Sequence, residues 1–159
     1  MAQLFTLVKA PRKPHEWGMK RPLEIYARFF ENVTPRTVGD LRMLVAPDVR
    51  FSDPFNEVTG ADKLVAVFEK MYAELENPKV KVHGTAMGAG DKIGYMRWTL
   101  TYKRGMRVGK FDGMSEITFG KDGKVASHVN FWDSGRQFLG RLPMVGTIVR
   151  MIMGKAGVS

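Results

Sequence analysis

Asp53 is the residue whose neighbours best suit it to moving a proton. It closes the run Val49-Arg50-Phe51-Ser52-Asp53-Pro54-Phe55, a short strand pattern broken by Pro54. A carboxylate flanked by Phe51, Pro54 and Phe55 would stand partly out of water, which favours its use as a general base. A second reading is a turn residue, because an aspartate before proline often accepts hydrogen bonds from nearby backbone amides. His128 is the obvious partner for the carboxylate, since imidazole titrates near neutrality; a hydrogen-bonded structural histidine is its alternative. Strand alternation puts His128, Asn130 and Trp132 on one face and Val129, Phe131 and Asp133 on the other. With Arg97 or Asn130 to polarise a carbonyl, this set would serve proton transfer without a cofactor. No metal is expected, because His15, His83 and His128 show no ligand spacing and cysteine is absent. The Gly88-Ala89-Gly90 stretch reads as a turn, since no helix pattern follows it as a dinucleotide fingerprint requires.

These side chains need helices on one side and a sheet on the other. Leu23, Ala27 and Phe30, with Ile25, Tyr26, Phe29 and Val33, recur at helical spacing after Pro22, a residue suited to a first turn. Thr34-Pro35 interrupts that helix. Val38, Leu41, Leu44 and Val45 predict a short second helix ended by Pro47, then a brief strand over 49–52. After Gly60, Leu64, Val67, Phe68, Met71 and Leu75 share the apolar face of a third helix, which Pro78 ends. From Lys79 onward the pattern is of strands over 80–86, 93–102, 108–119 and 125–132, with turn chemistry at 88–91, Arg104-Gly105 and 121–124. Helices followed by an antiparallel meander make an α+β domain. Asp133 is expected to cap a short helix after the last strand.

A length of 159 residues with 44% hydrophobic content suits one domain and one pocket. The expected organisation is an arm over 1–19, a folded domain over 20–133 and a helical tail over 134–159. Net charge is +9, yet residues 1–15 carry Lys9, Arg12 and Lys13 with no acid, and 134–159 carry Arg136, Arg141, Arg150 and Lys155 with no acid. A basic stripe on the folded body is therefore not indicated, and no specific nucleic-acid partner is expected. The absence of cysteine and of an apolar leader run points to the cytoplasm. Eleven methionines suit either an irregular apolar cavity or core filling. The stretch 143–153 is apolar on nearly every side but falls short of the ~20 residues a bilayer span needs. It must pack on its own domain or a dimer partner, or rest weakly on a membrane surface with its basic residues near the head groups.

The segment from Val49 to Phe55, followed by Gly60 and a helix, resembles the strand, Asp-Pro-Phe turn and helix of the steroid delta-isomerases. It is more loosely similar to SnoaL-like polyketide cyclases and other nuclear transport factor 2-like proteins. Residues 25–33 resemble that superfamily's first helix and 119–132 its hairpin into the last strand, so the resemblance runs roughly from Lys20 to Asp133. It implies a cone-shaped, cystatin-like α+β fold: a curved antiparallel sheet on about three N-terminal helices, here with an extra C-terminal helix. It also implies a pocket for a small apolar or carbonyl-containing ligand, a homodimer formed through the outer sheet face, and Asp53 as base assisted by His128. The Trp132 face would turn inward with Phe111, Ser115 and Ile117, then Tyr95, Arg97 and Thr99 from the next strand; Phe55 and Phe68 would join the lining. The isomerases stabilise their dienolate with a tyrosine hydroxyl and a protonated aspartic acid. Phe29 and Ser115 stand at those positions, and one missing donor typically costs about 10²–10³ in rate, so true ketosteroid isomerase activity is not expected. The Asp-Arg-Asp arrangement of limonene-epoxide hydrolases is broken as well, since Arg97 resembles the arginine but Thr99 and Asn130 replace the aspartates. What remains is an isomerase- or cyclase-like catalyst without cofactor, or a non-catalytic ligand-binding or dimeric scaffold module.

Overall fold

In a computed structural model, the chain is described for residues 16–88, 90, 92–142 and 145–156. The arm expected over 1–19 lies mostly outside those residues. Helix α1 (Glu16–Asn32) begins inside the arm and earlier than Pro22 suggested, so Pro22 sits within the helix and leaves one internal hydrogen bond unmade. Leu23, Tyr26, Ala27 and Phe30 form its buried face, whereas Ile25 is 48% exposed. A 3₁₀ turn (Val38–Asp40) leads into α2 (Leu41–Leu44), and the chain then enters β1 (Val45–Ser52) directly. Pro47 therefore lies in a strand rather than ending a helix. It is tolerated because the pairing of β1 is irregular between Val45 and Arg50, where no ladder bond requires its missing N–H.

Strand β2 (Glu57–Thr59), which the sequence pattern did not signal, folds back on β1 and precedes α3 (Ala61–Glu74). Helix α3 stops four residues before Pro78, which belongs to β3 (Glu76–Met87). That proline is accommodated at the sheet edge, within a register shift between Glu76 and Lys79. Strands β4 (Ile93–Arg104), β5 (Arg107–Phe119) and β6 (Val125–Trp132) follow at the expected places. The six strands form one curved, open sheet in the order β2-β1-β6-β5-β4-β3. The sheet is not wholly antiparallel: β1 and β6 run parallel, with Phe51 beside His128 and Ser52 beside Val129.

Register decides which side chains face the helices. Ile117 pairs with His128 and Ser115 with Asn130, while Met96 pairs with Ser115 and Trp98 with Gly113. The inward residues of β4 are thus Met96, Trp98 and Leu100. Tyr95, Arg97 and Thr99, expected inside, lie on the opposite face, because a one-residue change of register flips every side chain. Apolar Met96, Trp98 and Leu100 alternate with Tyr95, Arg97 and Thr99, so burial favours the observed register. The core packs Leu23, Tyr26 and Phe30 of α1 and Leu64 of α3 against Phe51, Met96, Trp98 and Ile117 of the sheet.

Two inward aromatics lie flat across glycines on β5. Trp98 covers Gly113, and Tyr102 covers Gly109 while stacking on Phe111 with centroids 5.3 Å apart. A Cβ at Gly113 would meet Trp98 Cζ2 at 2.5 Å and the Phe131 carbonyl oxygen at 3.0 Å. The backbone oxygen cannot move aside without breaking the β5–β6 ladder. Gly113→Ala should therefore cost about 1–3 kcal/mol, read as a lower urea midpoint with an unchanged slope.

Candidate functional site

The parallel strands β1 and β6 end side by side, and the chain leaves both at the same rim. Asp53 follows the last Ser52–Val129 pair on one strand and Asn130 follows it on the other, and both line the same cleft. Pro54 then forces a turn. Asp53 Oδ1 accepts from the backbone N–H of Phe55 and of Asn56, each at 2.7 Å, and from Asn56 Nδ2 at 3.0 Å. Among the described residues, Oδ2 accepts only from Asn56 Nδ2, at 3.1 Å. The carboxylate is thus fixed by one oxygen, in the turn role that Asp-Pro suggests, while its other oxygen keeps acceptor capacity.

Asn130 is held more firmly. Its Oδ1 accepts from Ser115 Oγ at 2.5 Å and from His128 Nε2 at 2.9 Å. Ser115 Oγ in turn accepts from Trp98 Nε1 at 2.8 Å. Because an amide oxygen can only accept, His128 carries its proton on Nε2, which leaves Nδ1 to accept from the Tyr26 hydroxyl at 3.0 Å. The chain Tyr26–His128–Asn130–Ser115–Trp98 joins α1, β6, β5 and β4. Among the described residues the Nδ2 group of Asn130 has no protein acceptor.

His128 is 1% exposed, with the rings of Tyr26, Phe30 and Phe51 centred 5.3–5.6 Å away. Burial pulls its pKa down to about 4, against the opposing pull of its bond to Asn130. It is therefore neutral at physiological pH and touches no carboxylate. Burial likewise raises the pKa of the Tyr26 hydroxyl and keeps it protonated.

Asp53, Asn130 and Trp132 line an open cleft of about 560 Å³, whose rim includes Pro54 and Phe131. The cleft is open at the strand ends rather than enclosed under the helices, where the sequence reading expected a pocket. Phe55 covers Trp132 from outside, centroids 5.1 Å apart, and Phe138 covers Phe55 at 5.0 Å. Phe111 lies beneath Trp132 at 4.8 Å. Of the other residues expected in the site, Ser115 and His128 reach it only through Asn130. Phe68 packs on Phe30 and Phe51, and Phe29 packs on Phe30. Tyr95 and Arg97 belong to the outer sheet face; there Thr99, also expected inside, donates to Asp112 at 2.6 Å and bonds His83 at 2.8 Å.

Three contributors escaped the sequence reading. Tyr26 reads only as part of the first helix's apolar pattern and Trp98 is not singled out in the strand over 93–102; only the third dimension brings their polar tips to His128 and Ser115. Gln137 lies on helix α4 (Ser134–Gln137), whose N-terminus Asp133 caps by accepting from Arg136 N at 2.8 Å, as its place after the strand suggested. Gln137 Oε1 accepts from the backbone N–H of Asp112 at 2.5 Å, and its Nε2 donates to the Asp112 carbonyl at 3.0 Å. This side-chain amide stands in for the strand partner that β5 loses when β6 ends at Trp132. Among the described residues, no group of three or more His, Asp or Glu side chains is arranged to hold a metal ion.

The family profile of the SnoaL-like domain matches residues 26–128, well over half of the chain. The chain belongs to the SnoaL-like family. No curated protein has a matching sequence. Among solved structures, the SnoaL-like chain is similar to one named as a SnoaL-like polyketide cyclase from Jannaschia sp. CCS1, with TM-score 0.62 and 16% identity over 79% of this chain and 92% of that one. It is similar to a limonene-epoxide-hydrolase-like epoxide hydrolase of Mycobacterium tuberculosis, with TM-score 0.59 and 17% identity over 86% and 96% of the two chains. A nuclear transport factor 2-like protein of unknown function from Exiguobacterium sp. 255-15 gives TM-score 0.61 and 20% identity over 70% and 98%. At these identities the likeness shows the shared fold.

A histidine whose native pKa lies below its unfolded value of ~6.5 binds fewer protons when folded, so stability falls as pH drops through that value toward about 4. Between those limits the urea-derived stability should rise with pH by up to roughly 1.4 kcal/mol per unit from this residue, and His128→Gln should flatten the slope. An imidazole NMR titration showing His128 protonated by pH 6 would contradict this account.

Proposed function

We propose that the cleft binds a small, largely apolar carbonyl compound and that Asp53 and Asn130 act on it without a cofactor. The observation that carries this reading is the pairing of an anchored carboxylate with an amide donor on neighbouring strand ends. Asp53 Oδ2 would take a proton from the carbon next to the carbonyl. Asn130 Nδ2 would donate to the carbonyl oxygen as negative charge develops there, its orientation set by His128 and Ser115. Return of the proton to another carbon gives an isomerisation; attack of the enolate carbon on a second carbonyl gives a cyclisation. Trp132, Phe55 and Phe138 supply apolar surface for the ligand. The names of structural relatives, among them a cyclase and an epoxide hydrolase, fit a small-molecule site of this class. His128 acts here by orienting Asn130; its neutrality and burial argue against a direct proton relay.

A second reading is a binding module that retains the site without turnover. It is favoured by Asp53 Oδ1 being committed to its own turn and by Ser115 Oγ being used by both Trp98 and Asn130. Proton exchange separates the two. With an aromatic ketone such as 2-tetralone in D₂O, the wild type should speed loss of the α-proton NMR signal. Asp53→Asn and Asn130→Leu should each slow that exchange about 10²-fold or more while binding, followed by intrinsic fluorescence, changes only a few-fold. Bound ketone with exchange no faster than in buffer would leave the binding module alone.

A further inference from the structure

Two stretches of the chain hold eight of its 25 lysines and arginines and no acid. They are 103–110, with Lys103, Arg104, Arg107 and Lys110, and 134–156, with Arg136, Arg141, Arg150 and Lys155. Asp112 and Asp133, just outside them, pair with Lys110 at 2.9 Å and Arg136 at 3.8 Å, and Glu76, opposite Lys103 on β3, accepts from the Gly105 N–H at 3.2 Å; eight basic residues against these three carboxylates leave a positive balance. Both stretches also present large apolar side chains to solvent. At the β4–β5 hairpin tip Met106 is fully exposed and Val108 is 72% exposed. On helix α5 (Val145–Ala156), Val145, Ile148, Met151 and Ile152 are 45–61% exposed. The tail, expected to pack on its own domain or a dimer partner or to rest on a membrane surface, packs along Gly146, Val149 and Met153, and the next stripe around the helix is left uncovered by the described residues.

The two stretches are anchored to the same segment of β5. Gln137 grips the backbone of Asp112, and Arg141 Nη1 donates to the Lys110 carbonyl at 3.4 Å. We propose that the exposed stripe of α5 and the β4–β5 hairpin tip form one docking surface for an anionic lipid bilayer. Charge selects this occupant, since a second copy of the same surface would set basic residues against basic residues, whereas acidic head groups complement them. Length sets the mode of binding. Twelve helical residues reach about 18 Å, short of the ~30 Å hydrocarbon core, and no helix among the described residues is long and apolar enough to cross a membrane. The helix lies in the interface, with Ile148 and Ile152 inserted and Lys155, one turn beyond Met151, extending its stem to the head groups. This docking does not depend on the reaction proposed for the cleft.

Flotation of the full chain with vesicles of phosphatidylcholine, or of equal parts phosphatidylcholine and phosphatidylglycerol, tests the proposal. The protein should float with the mixed vesicles and not with the neutral ones, and lose binding toward about 1 M salt, where the screening length is ~3 Å. The double substitution Ile148→Ser with Ile152→Ser, and separately Met106→Ser, should each lower the bound fraction about tenfold or more. Because all three positions are exposed, thermal melting should stay at the wild-type value. Flotation with neither vesicle, or equal flotation of wild type and both variants, would overturn the proposal. So would a concentration-dependent dimer, seen by sedimentation and broken by the same substitutions, in a protein that ignores vesicles.

Discussion

A neutral imidazole buried without a counter-ion is the constraint around which the rest of this structure is organised. His128 is shut off from bulk solvent, so its ring nitrogens need partners in the interior, and each unpaired buried polar group would cost roughly 1–3 kcal/mol. The partners come from different elements: Tyr26 from α1 and Asn130 from its own strand. Asn130 in turn requires Ser115 of β5, and Ser115 takes the indole N–H of Trp98 on β4. Satisfying one ring thus fixes the seating of the first helix on the sheet and the mutual register of three strands. A shift of one residue in β5 would move Ser115 to the outer face and break the chain at its centre.

The same network shapes the cleft. An asparagine left to itself would rotate freely between solvent contacts; here two donors compel its oxygen to point toward the core. Its amino group is then the part not already committed, at the rim where Asp53 also stands. Asp53 is ordered by a wholly different device, a turn closed by its own side chain. Rigid elements therefore hold both groups, which favours a site whose geometry exists before any ligand arrives.

The C-terminal segment completes the sheet and extends the molecule's reach. Where β6 ends, β5 continues with unpaired backbone, and Gln137 supplies both the donor and the acceptor of the missing strand residue. That clamp brings Phe138 over Phe55, which itself covers Trp132. The cleft and the C-terminal segment are thereby both tied to β5.

Period and punctuation in the sequence were enough to specify three N-terminal helices, the four long strands and the Asp133 cap, because those features depend on neighbours only a few residues apart; the SnoaL-like character was legible only through resemblance to a known family. Prolines misled where the fold makes them harmless: Pro22 within a helix, Pro47 in an irregular strand, Pro78 at a sheet edge. The inward face of β4 was legible in its apolar alternation, yet the family likeness pointed to Tyr95 and Arg97 instead. What only the tertiary structure decided is the parallel pairing of β1 with β6, the meeting of Tyr26 with His128 across 102 residues of chain, and the use of Gln137 as a strand substitute. Contacts of that separation are selected by burial and hydrogen-bond satisfaction over the whole core, which no local pattern encodes.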